Sequence, residues 1–131
     1  MPVAEPVARP FSYAVLQVVP RVERGERLNV GVVLFSRQHD FLGIRTEVDE
    51  LRLRALAPQL DLDLLRSRLA TLALVAQGDP HAGAIAHLTP SERFGWLVAP
   101  ASSIIQPSAA HTGVTADPAA TLEHLFAQLV S

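Results

Sequence analysis

The chain has 131 residues, a formal net charge of −2, and neither cysteine nor lysine. These absences exclude disulfides, thiol catalysis, Schiff-base chemistry and the lysine of a P-loop. A slightly acidic chain gives no electrostatic reason to expect a nucleic-acid partner, and no apolar run approaches the ~20 residues of a membrane span, so no membrane association is expected.

The first ten residues, M-P-V-A-E-P-V-A-R-P, are rich in proline. They have neither the cationic start nor the apolar centre of a signal peptide. We therefore expect a cytoplasmic protein with a flexible N-terminal arm over residues 1–10 and one domain over residues 11–131. A chain of this length buries roughly two-thirds of its extended surface, which is enough for a hydrophobic core.

Two apolar runs, Phe11–Val19 and Leu28–Phe35, flank a short charged segment and predict a β-hairpin. Both faces of the first run are mostly apolar, which is typical of a central strand covered on two sides. Glycine weakens a strand, so Gly31 indicates a bulge or the close approach of another backbone or a ligand. Strict alternation in the second run places Leu28, Val30, Val32 and Leu34 on one face, and Asn29, Gly31, Val33 and Phe35 on the other.

The segment between these strands, R-V-E-R-G-E-R at residues 21–27, concentrates charge around Gly25. Two interpretations stay open. The segment is either a solvated turn whose ion pairs contribute little to stability, or part of a polar site. In the second case Arg21, Glu26 and Asn29 line the site at the strand ends, because loops on rigid scaffolds often carry binding residues.

Capping residues, prolines and the spacing of leucines predict the remaining elements. In chain order they are an edge strand over Phe41–Thr46, a short helix capped by Asp49, and a long helix from Asp61 or Asp63 to about Gln77. A weak helix from Asp79 to His87 follows, then a short helix opened by a capping box at Thr89–Glu92, a fourth strand over Ser103–Gln106, a loop after Pro107, and a final helix from Asp117 to about Val130.

These elements predict an α+β fold in a single domain. We expect a mainly antiparallel sheet of three or four strands, with helices packed chiefly on one face. The charged hairpin turn and the loop after the fourth strand are then the regions in which a polar site is expected.

The five histidines do not show a metal-binding pattern, because no pair has helical spacing with a carboxylate on the same face. We therefore predict no metal site and no cofactor. His111 differs from the others because it lies in an H-T-G loop beside serine and threonine residues. A neutral imidazole there serves either as a general base or ligand, or as a partner for backbone hydrogen bonds.

Five segments together resemble the bacterial domain of unknown function 3037 family. They are Y-A-V-L-Q-V-V-P-R-V-E-R-G-E-R-L-N-V-G-V-V-L-F at Tyr13–Phe35, D-F-L at Asp40–Leu42, E-R-F-G-W-L-V-A-P at Glu92–Pro100, S-I-I-Q-P at Ser103–Pro107 and H-T-G at His111–Gly113. The resemblance implies a small, single-domain, cytoplasmic protein without an assigned reaction. It also implies a neighbour, since such proteins are often encoded beside a kinase-fold protein of the HipA-like type.

Two functional hypotheses follow. The first is a non-catalytic binding or accessory module that acts through protein–protein interaction, with a HipA-like kinase-fold partner or with a second copy of itself. The alternative is a small enzyme or anionic-ligand-binding domain whose polar site joins the hairpin loop to the His111 loop. No catalytic residue is assigned. The predicted ligand-binding residues are Arg21, Glu26, Asn29, Gly31, Gln106, His111 and Thr112.

Overall fold

A computed structural model describes residues 7–100 and 103–131, and within these ranges the chain folds as one α+β unit around a five-stranded antiparallel sheet. The predicted fold class is therefore confirmed, with one strand more than the three or four expected. The strands are β1 (Arg9–Val18), β2 (Leu28–Ser36), β3 (Phe41–Thr46), β4 (Ile105–Pro107) and β5 (His111–Thr115).

The helices begin at the caps that the sequence predicts. Asp61 rather than Asp63 opens the long helix, because its carboxylate accepts the Leu64 N–H at 3.0 Å. Gly78 ends that helix with a positive φ of 67°. The α-helices are α1 (Glu50–Leu56), α2 (Leu62–Gln77), α3 (Pro90–Leu97) and α4 (Pro118–Leu129), and 3-10 segments cover Val22–Arg24 and Pro80–His87.

Strand β1 lies at the centre of the sheet, as its doubly apolar sequence predicts. It pairs along one edge with β2, which pairs in turn with the edge strand β3. Along its other edge β1 pairs first with β4 and then with β5. The second half of the chain therefore returns to the first strand.

The segment 111–115 was predicted as a loop, and that prediction is wrong: it forms β5 beside the start of β1. Its sequence H-T-G-V-T is too short for alternation to identify it, and its strand conformation comes from pairing. This pairing also begins β1 at Arg9, two residues before the predicted start of the domain. Residues 1–6 of the predicted arm lie outside the described ranges.

Helices cover both faces of the sheet, with most of them on one face as predicted. Helices α1, α2 and α3 pack on the face that carries Ala14, Leu16 and Val18 of β1. Of the helices in the described ranges, α4 is the one that covers the opposite face, where Leu122 and Phe126 contact β1 and β2 side chains. These two faces are called the α2 face and the α4 face below.

A β-bulge in β2 changes the predicted alternation of that strand. Leu16 pairs with Gly31 while the next residue of β1, Gln17, pairs with Asn29, so Val30 is the extra residue. Val30 therefore joins the core on the α2 face, away from Val32, which packs against α4. The strict alternation predicted for Leu28–Phe35 is wrong at this point, whereas the bulge indicated by Gly31 is present.

Candidate functional site

The predicted site residues occupy separate regions of the sheet. Gln106 and Asn29 lie on either side of Gln17, so the three form a polar row across β4, β1 and β2. Gln17 Nε2 donates to Asn29 Oδ1 at 3.0 Å, and Asn29 Nδ2 donates to the Leu129 carbonyl at 3.0 Å. The row therefore lies on the α4 face, because Leu129 ends α4.

Asn29 has a structural task in this row. The last carbonyls of a helix have no partner within it, and the Asn29 amide supplies one for α4. Arg52 of α1 supplies another, donating to the Val130 carbonyl at 3.3 Å. The positive charge of Arg52 also interacts favourably with the negative end of the α4 dipole. Together these side chains hold the C-terminus of α4 on the sheet.

His111 and Thr112 lie farther along β1, on strand β5. They pair with Tyr13 and Ser12, and the rings of His111 and Tyr13 are 5.3 Å apart between centroids. Tyr13 is four residues from Gln17, which corresponds to roughly 13 Å along an extended strand. The His111 ring is therefore well separated from the polar row.

Arg21 and Glu26 line a different region, an open cleft of about 740 Å³. The hairpin loop forms one wall of this cleft, and the connection between α1 and α2, residues 55–61, forms another. Ile104, which precedes β4, completes the lining. The structure therefore does not bring Arg21, Glu26 and His111 into one pocket.

The cleft carries charges of both signs. Arg24 and Glu26 form an exposed ion pair across the loop. Asp61 is occupied as the N-cap of α2. Among the described residues, the Arg21 side chain makes no hydrogen bond and no salt bridge, although the Arg21 carbonyl accepts the Arg24 and Gly25 N–H groups. Its guanidinium is therefore the group best placed to meet a ligand. Gly31 contributes nothing to this lining, because it is buried between β1 and β3.

Two carboxyl groups outside the cleft have shifted proton affinities. A hydrogen bond from Arg66 and its charge lower the pKa of Glu50. The His81 backbone N–H, and then its ring, lower the pKa of Asp79. Both shifts favour the charged carboxylate at neutral pH, whereas a general acid must carry a proton before it reacts.

The described part of the chain also bears on metals and membranes. Within it, no group of three or more histidine, aspartate or glutamate side chains is arranged to hold a metal ion. Of the helices in residues 7–100 and 103–131, none combines the length and apolar character that a bilayer crossing requires.

A second surface, which the sequence analysis did not single out, surrounds Trp96. This residue is 43% exposed, and it borders a groove of about 450 Å³ between α2, the end of α3 and β4. We call it the Trp96 groove. It is lined mainly by apolar residues, with Arg68 and Thr71 contributed by α2; the apolar lining includes Leu16, Leu72, Leu97, Pro100, Ile105 and Pro107.

The segment E-R-F-G-W-L contains a signal for this surface. Four of its residues have structural tasks: Glu92 closes the capping box, Arg93 binds carbonyls at the end of α2, Phe94 stacks on Phe35 at 5.5 Å, and Leu97 is buried. Gly95 and Trp96 remain. A Cβ at Gly95 would have no atom of the described residues within 4 Å, and Trp96 is exposed. An exposed tryptophan in a segment whose other large side chains have structural roles indicates an interaction surface.

No curated protein and no solved structure matches the chain. A family model, described as Protein of unknown function (DUF3037), matches residues 13–130, which is nearly the whole chain. The match includes the hairpin, the polar row, the Trp96 groove and β5, all of which are now located in the fold. The chain therefore belongs to the DUF3037 family.

Proposed function

We propose that the protein is a non-catalytic accessory module of the bacterial cytoplasm that acts by binding a protein partner at the Trp96 groove. The observation that supports this function best is the exposed Trp96 side chain at the edge of an apolar groove. Tryptophan and arginine are enriched among the residues that dominate binding energy in protein interfaces. The groove has one of each, Trp96 and Arg68.

The chemistry of the groove defines the partner segment. Its apolar lining, including Leu72 and Pro107, accepts an apolar side chain. Arg68 at the rim suits a carboxylate or carbonyl group next to that anchor. We expect an apolar residue beside an acidic one on the partner. The first protein to test is a HipA-like kinase-fold protein encoded beside this chain, as the family resemblance suggests.

Co-purification with that neighbour tests the docking surface. Thr71→Arg places a long charged side chain in the groove from an exposed position of α2. Trp96→Ala removes the exposed indole ring at the edge of the groove. We expect each change to weaken binding at least about tenfold, the effect of losing a well-buried interface contact. Titration calorimetry with purified partner gives the dissociation constant.

Ala70→Arg is the matched control for Thr71→Arg. Ala70 is exposed on the same helix, adjacent in sequence, and does not line the groove. The control should bind as the wild type does. Equal binding by all three variants would show that the partner does not use this groove, and failure of the wild type to retain the neighbour would reject that partner.

The cleft beside the hairpin supports a second candidate function, the binding of a small anionic or nucleotide-like ligand. The specific observation is Arg21, which faces the cleft without a partner among the described residues. A guanidinium binds phosphate or carboxylate in two-point geometry. The volume of about 740 Å³ lies within the range of small-molecule sites.

Thermal melting with nucleotides and phosphorylated metabolites tests this candidate. A ligand should raise the melting temperature of the wild type, and Arg21→Ala should abolish that increase while leaving the unliganded melting temperature nearly unchanged. Asn29→Ala is the contrasting variant: it should cost about 1–2 kcal/mol of stability through lost hydrogen bonds and keep the ligand response. No increase with any ligand, or an increase retained by Arg21→Ala, would contradict an anion site at Arg21.

A further inference from the structure

Strand β5 ends the sheet beside β1, and its other side pairs with no strand in the described residues. The direction of its backbone groups follows from the neighbouring pairs. Ser108 N–H donates to the Val15 carbonyl at 2.8 Å, and Val19 N–H donates to the Ile104 carbonyl at 2.8 Å. The odd-numbered residues of β1 therefore direct their backbone N–H and C=O groups toward β4 and β5. Phe11 and Tyr13 of β1 thus pair through hydrogen bonds with Gly113 and His111 of β5. Because the direction alternates along a strand, Thr112 and Val114 direct their N–H and C=O groups away from β1.

The sequence of β5 lacks the charged residues and prolines that usually keep sheet edges from pairing. The sequence H-T-G-V-T contains no proline and no lysine, arginine or acidic residue, and charges or prolines are the common protection. Val114 is 70% exposed. The opposite edge strand, β3, differs because it carries Arg45, which forms an ion pair with Glu123 and lies over the Phe126 ring.

The pattern of outward groups on β5 is self-complementary. A second copy running antiparallel, with the two Gly113 residues opposite each other, places Thr112 of one copy opposite Val114 of the other. These are the residues whose N–H and C=O groups point outward, so each pair exchanges two hydrogen bonds. Gly113 then occupies the close, non-hydrogen-bonded position on the axis.

The residues that flank β5 fit the same register. It places Ala110 of one copy opposite Ala116 of the other, and both are exposed. Small side chains here leave room for the second backbone. Gly113 itself is covered by the ring of Phe11 from β1, because a Cβ at Gly113 would lie 2.7 Å from that ring. The same register places His111 opposite Thr115, so the contact consists of backbone hydrogen bonds with small residues at its centre and at its two ends.

We propose that two copies of this chain associate through β5, as a two-fold dimer in which the sheets join into one. The strand is short and the contact buries little apolar surface, so the dimer is weak and forms at high local concentration. The paired residues do not line the Trp96 groove, and the proposal does not depend on partner binding there. Its failure would leave the proposed docking function untouched.

Sedimentation velocity over a wide range of concentration tests the dimer. The wild type should shift from monomer toward dimer as concentration rises. Val114→Pro removes an outward N–H without removing a donor to β1, so it should abolish the shift. Val114→Thr keeps the backbone donor and the β-branched shape, and it should associate as the wild type does. Melting curves of both variants check that the fold is retained.

Amide hydrogen exchange followed by NMR reports the register. Raising the concentration of the wild type should slow exchange at Thr112 and Val114, while the Gly113 amide, directed toward β1, is protected at every concentration. A protein that stays monomeric throughout overturns the proposal. So does a dimer that survives Val114→Pro, or one whose concentration-dependent protection falls on β3 instead of β5.

Discussion

Replacing Gly31 with valine is expected to lower the free energy of unfolding by about 3 kcal/mol, although valine favours strands more than glycine does. An added Cβ lies 2.9 Å from the Arg45 carbonyl oxygen and 3.0 Å from Thr46 Cγ2. The nearest atom is backbone in a paired strand, so it cannot move without disturbing the β2–β3 ladder. The two valine methyl groups add to the conflict. For a domain of this size we expect a loss of roughly 10 °C in melting temperature.

Two further variants separate crowding from a general effect of losing glycine. Gly31→Ala adds the Cβ alone and should fall between wild type and Gly31→Val. Gly95→Ala adds a methyl group on exposed α3, where nothing lies within 4 Å; it should stabilise the protein by about 0.5–1 kcal/mol, since alanine favours helices. A Gly31→Val protein that melts at or above the wild-type temperature would refute the crowding argument.

Replacing Arg93 with alanine is expected to cost about 2 kcal/mol of stability. Arg93 Nη1 donates to the Val75 and Ala76 carbonyls, each at 2.9 Å, and its Nε donates to the Leu88 carbonyl at 3.2 Å. Both carbonyls lie in the last turn of α2, where the Val75 carbonyl also accepts the Gly78 N–H at 3.1 Å. A positive charge there interacts favourably with the negative end of the helix dipole. Alanine leaves these partly buried groups without this donor.

Arg68→Ala is the matched control, because it also removes an arginine, here from an exposed position on α2 itself. It should change stability by less than about 0.5 kcal/mol. Arg93→Lys keeps the charge and loses the geometry of the guanidinium, so an intermediate value is expected. Chemical denaturation gives the three free energies. Equal values for Arg93→Ala and Arg68→Ala would show that the contacts of Arg93 do not support α2.

The sequence was most informative where one residue determines local conformation. Asp49, Thr89 and Asp117 mark helix starts because their side chains accept backbone N–H groups of the first turn, which have no carbonyl partner within the helix itself. Gly31 indicated the bulge because glycine inside an apolar strand requires a reason. Such signals depend on one or two neighbouring residues, so they can be recognised in the sequence without knowledge of the tertiary structure.

Features created by distant pairing were not predictable in the same way. H-T-G-V-T lacks the length and alternation of a strand and becomes one only beside Arg9–Tyr13. The bulge at Val30 turned Asn29 to the α4 face, and strict alternation could not reveal this. The binding roles predicted for Arg21 and His111 remain predictions, although the two residues lie in separate regions.

The position of β1 has a consequence for how the protein folds. This central strand is synthesised before the other four described strands, yet one of its edges is completed only by residues 105–115. The β1–β2–β3 meander is local, while the final pairs span about a hundred residues and close slowly. During synthesis the nascent chain therefore presents an open apolar strand edge until residues 105–115 emerge, and an incomplete domain is prone to aggregation during that interval.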